Sequence, residues 1–155
     1  MDRDAIIALG NPLMGDEGIG VFILDRLRLD SRLPLSVDLI DTAGSILTAL
    51  HSLSHHHKVV FLDCALMGEV PGTIRRFLPG QVKSEKTLPR LSLHEGDLLE
   101  MLETAKSLGE SAKEVVIYGI EPEFMSPKIG LSETLAKNLQ GYIDGILGEF
   151  STTPV

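Results

Sequence analysis

The groups of this chain that could do chemistry are acids and a histidine placed beside short apolar runs. Asp16 and Glu17 lie in the glycine-rich segment NPLMGDEGIGV, between an apolar run at 5–9 and a helical pattern. Asp63 directly follows the apolar run VVFL, and His94 precedes another helical pattern in RLSLHEGDLL. Carboxylates and imidazole hold divalent cations and transfer protons in hydrolysis. These positions therefore predict metal binding or acid–base chemistry.

The glycine-rich segment does not match a nucleotide-binding motif. Its glycines are not spaced as G-x-G-x-x-G or as a phosphate-binding loop: they are Gly10, Gly15, Gly18 and Gly20. Acids in the first helical turn would also repel a phosphate, since anion sites at helix N-termini use bare amides. The alternative is purely structural, with Asp16 as the N-cap and Glu17 as a first-turn acid.

The elements that must position these groups alternate between strand and helix. Strand-like runs occupy 5–9, 37–40, 59–62, 73–78 and 114–118. Helical patterns occupy 19–27, 46–53, 98–105 and 131–146, with Ser45 and Ser132 as N-caps. This alternation predicts an α/β fold, a three-layer sandwich around a mostly parallel, twisted sheet of roughly five strands. The polar run 73–78 predicts an edge or antiparallel strand, and 79–89 the longest irregular loop.

Ligands of open parallel sheets bind beyond the carboxyl ends of the strands. The polar residues that follow predicted strands are Asn11, Asp16, Glu17, Asp41, Asp63, Cys64, Glu121 and Glu123. A carboxylate such as Asp63, behind four apolar residues, is costly to bury unless it is paired, hydrogen-bonded or metal-bound. Function is therefore favoured over turn capping at Asp63. Cys64 has no base nearby in the sequence, which disfavours a thiol protease.

The remaining histidines form a run, His55 to His57, which we expect to be a solvated helix end beside Lys58. His51 and His55 are spaced i, i+4 and could share a metal ion. No supporting carboxylate is evident for them, so the pair is the weaker metal hypothesis.

Composition narrows the class of protein. The chain has 155 residues, 43% of them hydrophobic, and a net charge of −8, which disfavours nucleic acid or anionic membranes as partners. One cysteine excludes an intrachain disulfide and a cysteine-rich zinc module. Neither a signal peptide nor an apolar run of about 18 residues is present. We expect a single domain over 1–155, located in the cytoplasm, with a frayed tail at 151–155.

The motifs resemble those of the nickel–iron hydrogenase maturation proteases. GNPLMGDEGIGV is similar to the family signature G-N-x-L-x-x-D-[DE]-G-x-G-V. The segments DTAG, VVFLDCA, SLHE, YGIEP and GLSETL follow in the family's order, so that the resemblance covers about 6–147. Two departures stand near the expected cleft, Glu121 in place of the usual Gln and Cys64 where Ala is frequent. We expect them to alter its charge or metal preference.

The resemblance implies a phosphorylase/hydrolase-like fold and an endopeptidase that removes the C-terminal peptide of a hydrogenase large-subunit precursor after nickel insertion. It also implies that Glu17, Asp63 and His94 bind the nickel supplied by that precursor, without an organic cofactor, and we expect a monomer. Hydrolysis would be metal-assisted, or of the aspartic-protease type with Glu17 or Asp63 as general base. The alternatives are a non-catalytic nickel-sensing or metal-delivery protein on the same scaffold, and a small-molecule hydrolase or nucleotide-binding domain.

Overall fold

The structure, a computed structural model, describes residues 2–84, 90–91 and 97–151. The strands in these ranges are β1 (Asp4–Ala8), β2 (Val37–Asp41), β3 (Lys58–Leu66), β4 (Ile74–Phe77), β5 (Arg90–Leu91) and β6 (Glu114–Ile120). The helices are α1 (Ile19–Leu27), α2 (Ile46–His55), α3 (Pro79–Ser84), α4 (Asp97–Ser107) and α5 (Glu133–Leu147). A 3-10 turn, Gly15–Gly18, leads directly into α1.

The sheet has the strand order β2-β1-β3-β6-β4. The pairs β1 with β2, β1 with β3 and β3 with β6 are parallel, and β4 joins β6 antiparallel at the edge. The predicted mostly parallel sheet with one antiparallel strand is therefore confirmed. The parallel strands place their carboxyl ends, and the loops that follow them, at one edge of the sheet.

Helices cover both faces of the sheet, because side chains alternate along each buried strand. Ile6 and Val60 point to one face and belong to the cluster that packs against α1 and α5. Ile7 and Phe61 point to the other face and pack in the cluster with α2 and α4. The α/β/α sandwich predicted from the alternating pattern is confirmed, and the two clusters are the core of the protein.

Local signals predicted the helix starts but not every element. Ser45 and Ser132 accept hydrogen bonds from Thr48 and Leu135, as expected of N-caps. The stretch 79–89 was expected to be irregular, but it begins with the short helix α3. Pro79 occupies the first helical position, where a missing N–H has no cost.

Strand β3 is longer than its apolar run predicts, because its end has two partners. Asp63 and Cys64 pair with Gly119 and Ile120 of β6. The following Ala65 pairs with β5, a strand that the sequence pattern does not reveal. Asp63 therefore lies inside a strand rather than behind one.

Candidate active site

The loop after β1 brings the backbone of Glu17 and the carboxylate of Asp63 together around Gly10. Gly10 has φ +93°, a conformation that L side chains rarely adopt. A Cβ atom there would lie 2.1 Å from the Glu17 carbonyl oxygen and 3.1 Å from Asp63 Oδ1. Only glycine leaves room for this approach. The glycine-rich segment thus serves close packing of two acidic positions at the carboxyl edge of the sheet.

Asp63 is fully buried in β3. Its Oδ1 atom accepts a 2.8 Å hydrogen bond from the backbone N–H of Cys64. A buried carboxylate is retained only where hydrogen bonds, charges or a ligand compensate its lost hydration. The strand fixes the backbone on both sides of Asp63, so the position of this carboxylate is set by the sheet itself.

Glu17 lies in the 3-10 turn and is half-buried. Burial raises the pKa of its carboxyl above the ordinary glutamate value, because desolvation disfavours the charged form. A carboxyl between solvent and interior, with a raised pKa, holds a proton up to a higher pH than a solvated glutamate does, the direction expected of an acid–base group. The environment of Glu17 therefore suits a proton-transfer group or a ligand for a cation that arrives from solvent.

Cys64 shows how acidic this part of the protein is. Its side chain is 1% exposed, and burial raises the pKa of the thiol well above its usual range. The nearby carboxylates raise it further, and they are those of Asp63, Glu17, Asp16 and Glu121. The thiol therefore stays protonated and does not act as a nucleophile. The same cluster of negative charge favours a cation at this edge of the sheet.

Asp16, the acid next to Glu17, has a different task from the one considered in the sequence. Its fully buried carboxylate accepts backbone N–H bonds from Glu123 (2.9 Å), Phe124 (3.3 Å) and Ser132 (2.7 Å). The N-cap position of α1 is Gly18, which has no side-chain oxygen. The capping alternative for Asp16 is therefore wrong, because the loop between β6 and α5 satisfies this carboxylate instead.

Glu121 performs the same task on another loop. It is 5% exposed, and its carboxylate accepts backbone N–H bonds from Met67 (2.9 Å) and Glu69 (2.8 Å). The loop between β3 and β4 is thus held against the end of β6. Glutamate can serve both N–H groups with two acceptor oxygens, whereas glutamine offers one. This supplies a structural reason for a glutamate here.

Two further strand-end polar residues form turns. Asn11 Oδ1 accepts the backbone N–H of Leu13 at 2.9 Å, and Asp41 Oδ1 accepts that of Ala43 at 2.9 Å. Each side chain bonds its own backbone two residues ahead, the pattern of an Asx turn. These contacts give Asn11 and Asp41 a sufficient structural role.

His94, the third predicted ligand, lies outside the residues that the structure describes. Within the described ranges, the nearest preceding element is β5, whose Leu91 pairs with Ala65 in β3. Leu91, the last residue of β5, thus pairs with a residue two positions after Asp63 in β3. Across residues 2–84, 90–91 and 97–151, no group of three histidine, cysteine, aspartate or glutamate side chains is arranged to hold a metal ion.

The histidine run is not a uniformly solvated helix end. The His56 side chain is 8% exposed; its ring contacts the Ser52 carbonyl oxygen at 2.7 Å and Asp38 at 2.8 Å. The expectation of solvation was wrong for His56, because its ring closes the end of α2 against β2. The rings of His51 and His55 lie 4.2 Å apart, and the described residues give them no third ligand.

No helix in the described part of the chain combines the length and apolar character needed to cross a membrane.

Comparison with known proteins connects this geometry to a family. A sequence model of the family described as hydrogenase maturation protease matches residues 22–149. The hydrogenase 2 maturation protease of Escherichia coli (strain K12) is 26% identical over 146 residues, which cover 94% of this chain and 88% of that protein. A relative from Methanocaldococcus jannaschii that is also described as a hydrogenase maturation protease is 32% identical over 149 residues, which cover 93% of this chain and 94% of that protein.

Solved structures agree with the sequence comparisons. The hydrogenase maturating endopeptidase HybD from E. coli superimposes with a TM-score of 0.81 at 24% identity, covering 96% of this chain and 91% of that one. The hydrogenase 2 maturation peptidase from Thaumarchaeota archaeon matches with a TM-score of 0.72 at 28% identity, covering 97% and 99%. With the fold and the matched residues in agreement, this chain belongs to the hydrogenase maturation protease family.

Proposed function

We propose that this protein is the endopeptidase that removes the C-terminal peptide of a nickel–iron hydrogenase large-subunit precursor once nickel has been inserted. Glu17, Asp63 and His94 hold the nickel of the substrate and thereby position the scissile bond. The protein acts as a monomer in the cytoplasm. The observation that carries the proposal is the convergence of the Glu17 backbone and the Asp63 carboxylate around Gly10, in a chain of this family.

The donor set is suitable for a divalent nickel ion. Two carboxylates and one imidazole are oxygen and nitrogen donors of the kind that such an ion accepts. Three protein ligands leave open coordination positions, which is typical of catalytic rather than structural sites. The substrate supplies the nickel, whose chemistry at the site is to bind and polarise oxygen ligands.

The residues of this chain have separate tasks in the proposed reaction. Asp63, fixed in β3, supplies a carboxyl group deep in the site as a ligand for the nickel. Glu17, half-buried at the edge of the site, holds the nickel through its ionised carboxylate. In the alternative, aspartic-type hydrolysis, its carboxyl with a raised pKa instead accepts a proton from the attacking water and returns it to the leaving amine. Cys64 takes no part as a nucleophile, because its surroundings keep the thiol protonated.

The proposal is tested by mixing the purified protein with large-subunit precursors that carry nickel and with the same precursors lacking it. Intact mass spectrometry measures the loss of the C-terminal peptide. We expect complete shortening of the nickel-loaded precursor and none of the nickel-free form. Equal shortening of both forms would overturn the role of nickel. Stable complex formation without shortening would instead favour the nickel-sensing alternative.

A further inference from the structure

Three exposed apolar side chains stand beside the candidate site. Leu13 is 58% exposed, Met125 37% and Ile129 76%. Leu13 belongs to the loop that carries Glu17, and the other two belong to the loop between β6 and α5. Exposed apolar side chains that cluster at one place, rather than singly, are a common mark of a binding surface.

The backbone beneath these side chains is tied together. The Gly15 N–H donates to the Lys128 carbonyl at 2.8 Å, and the Lys128 N–H donates to the Leu13 carbonyl at 3.0 Å. The Asp16 carboxylate adds its bonds to the same loop. The two loops therefore form one preformed unit, which presents Leu13 and Ile129 outward at a low entropic cost of binding.

The cluster extends to strand β3, which carries Asp63. The Met125 sulfur lies 3.3 Å from Cys64 Sγ, and Cys64 follows Asp63 directly in β3. Met125 thus reaches from the exposed cluster to the strand that carries Asp63. Methionine is flexible and polarisable, properties that suit a contact surface which must adapt to a partner.

We propose that Leu13, Met125 and Ile129 form an apolar docking surface for a segment of the precursor protein whose apolar side chains are flanked by positive charge. This inference rests on the proposed function and adds the surface that the substrate contacts outside the nickel. The two loops also carry Glu17, four positions after Leu13, and the exposed Glu123, two positions before Met125. Lys128 of the second loop lies over the Phe124 ring. A cationic flank on the partner complements the two acids.

A second copy of this chain is a poorer occupant of the docking surface. Two copies meeting here would bring the acid-bearing loops of two chains together, each chain having a net charge of −8. Three side chains also cannot supply the roughly 1,200 Å² that stable protein interfaces bury. They suffice for a local segment whose remaining affinity comes from the metal site.

The test compares two double variants of the full chain. Leu13→Ser with Ile129→Ser removes the docking surface. Leu29→Ser with Leu35→Ser is the matched control, because these side chains are 87% and 97% exposed and flank α1 and β2 at the opposite edge of the sheet. Processing of the nickel-loaded precursor gives kcat and KM. Calorimetry gives the Kd for the same precursor, with every variant placed in an Asp63→Asn background that blocks cleavage.

We expect the docking variant to raise KM and Kd about tenfold with kcat within about twofold, and the control to match its parent. Unchanged Kd and KM in the docking variant, or an equal loss in the control, would overturn the docking surface. Parent protein that binds the precursor at this surface but never shortens it would overturn the proposed function alone. If added salt does not raise the Kd, the part of the proposal that gives the partner segment a cationic flank is overturned.

Discussion

At the scale of single residues, adjacent acids with the same sequence signal have opposite tasks. Asp16 and Glu17 both lie in the first turn before α1, yet the Asp16 carboxylate turns inward to three backbone N–H groups. Glu17 stays half-buried at the site. The sequence could predict that acids gather after β1. It could not predict which of two neighbours is structural, because the partners of the Asp16 carboxylate lie in a distant loop.

The raised pKa of Glu17 leads to a prediction about pH. Burial makes its carboxyl take up a proton at a higher pH than a solvated glutamate does. If processing needs the ionised form, the rate should fall on the acid side at a pH above the ordinary glutamate value of about 4.3. The pH dependence of kcat/KM, measured between about pH 4 and 8, reports this limb.

Glu17→Gln is the matched variant for that limb. It should process the precursor at least about a hundredfold more slowly and lack the limb. It should also melt no lower than the parent at pH 7. A raised pKa in the folded protein means that ionisation of Glu17 lowers the stability of the parent as the pH rises through that pKa, and glutamine does not ionise. The assignment of Glu17 to the proton transfer would be contradicted by an acid limb of the parent at or below the pKa of a solvated glutamate. It would also be contradicted by a Gln variant whose pH profile shows the same acid limb.

At the scale of elements, two buried carboxylates hold the loops that surround the site. Asp16 ties the β1–α1 loop to the β6–α5 loop, and Glu121 ties the β3–β4 loop to the end of β6. Asp16 and Ser132 are 116 positions apart in the chain. Such contacts leave no periodic or local signal, so the loop arrangement was not predictable although the helix starts at Ser45 and Ser132 were.

Asp16→Asn tests whether this tie holds the site together. The amide replaces one acceptor oxygen with a donor group, which then faces backbone donors. Loss of charged hydrogen bonds of this kind costs about 1–3 kcal/mol, or roughly 2–10 °C in melting temperature. Hydrogen exchange at the amides of Glu123, Phe124 and Ser132 should accelerate, and KM should rise because the docking surface loses its support.

The control for Asp16→Asn is Asp25→Asn, an exposed acid on α1 that pairs with Arg28. An exposed ion pair contributes little to the stability of a protein. The melting temperature and KM of the Asp25→Asn variant should therefore match those of the parent. Unchanged exchange at the three amides in Asp16→Asn would show that the β6–α5 loop is held by other contacts.

At the scale of the whole molecule, the fold was predictable because its signals are local. Apolar runs and amphipathic stripes predicted the order of strands and helices, and the polar content of 73–78 predicted the antiparallel edge strand β4. The length of β3 and the existence of β5 were not predictable. Both depend on pairing between segments distant in sequence, in which Ala65 meets Leu91.

The site is likewise a property of the assembled molecule. Strand-end placement predicted that Glu17 and Asp63 lie at one edge of the sheet, and Gly10 is where the structure brings the backbone of one and the carboxylate of the other together. That the two residues lie close together could not be predicted from the sequence, because it depends on the order of the strands in the sheet, which sequence periodicity does not supply. Under the proposed function, the substrate completes the arrangement by contributing the nickel and the scissile bond.

Asp63→Asn, compared with His57→Ala, tests the central claim most directly. Asparagine keeps an oxygen that can accept the Cys64 N–H, removes the charge and replaces the other carboxylate oxygen with an amide group of similar size. The account predicts that Asp63→Asn melts at or above the parent temperature but shortens the nickel-loaded precursor at least about a hundredfold more slowly by intact mass. His57→Ala, in the histidine run away from the site, should process it within about twofold of the parent. Parent-like shortening by Asp63→Asn, or abolished shortening by a folded His57→Ala, would contradict the account.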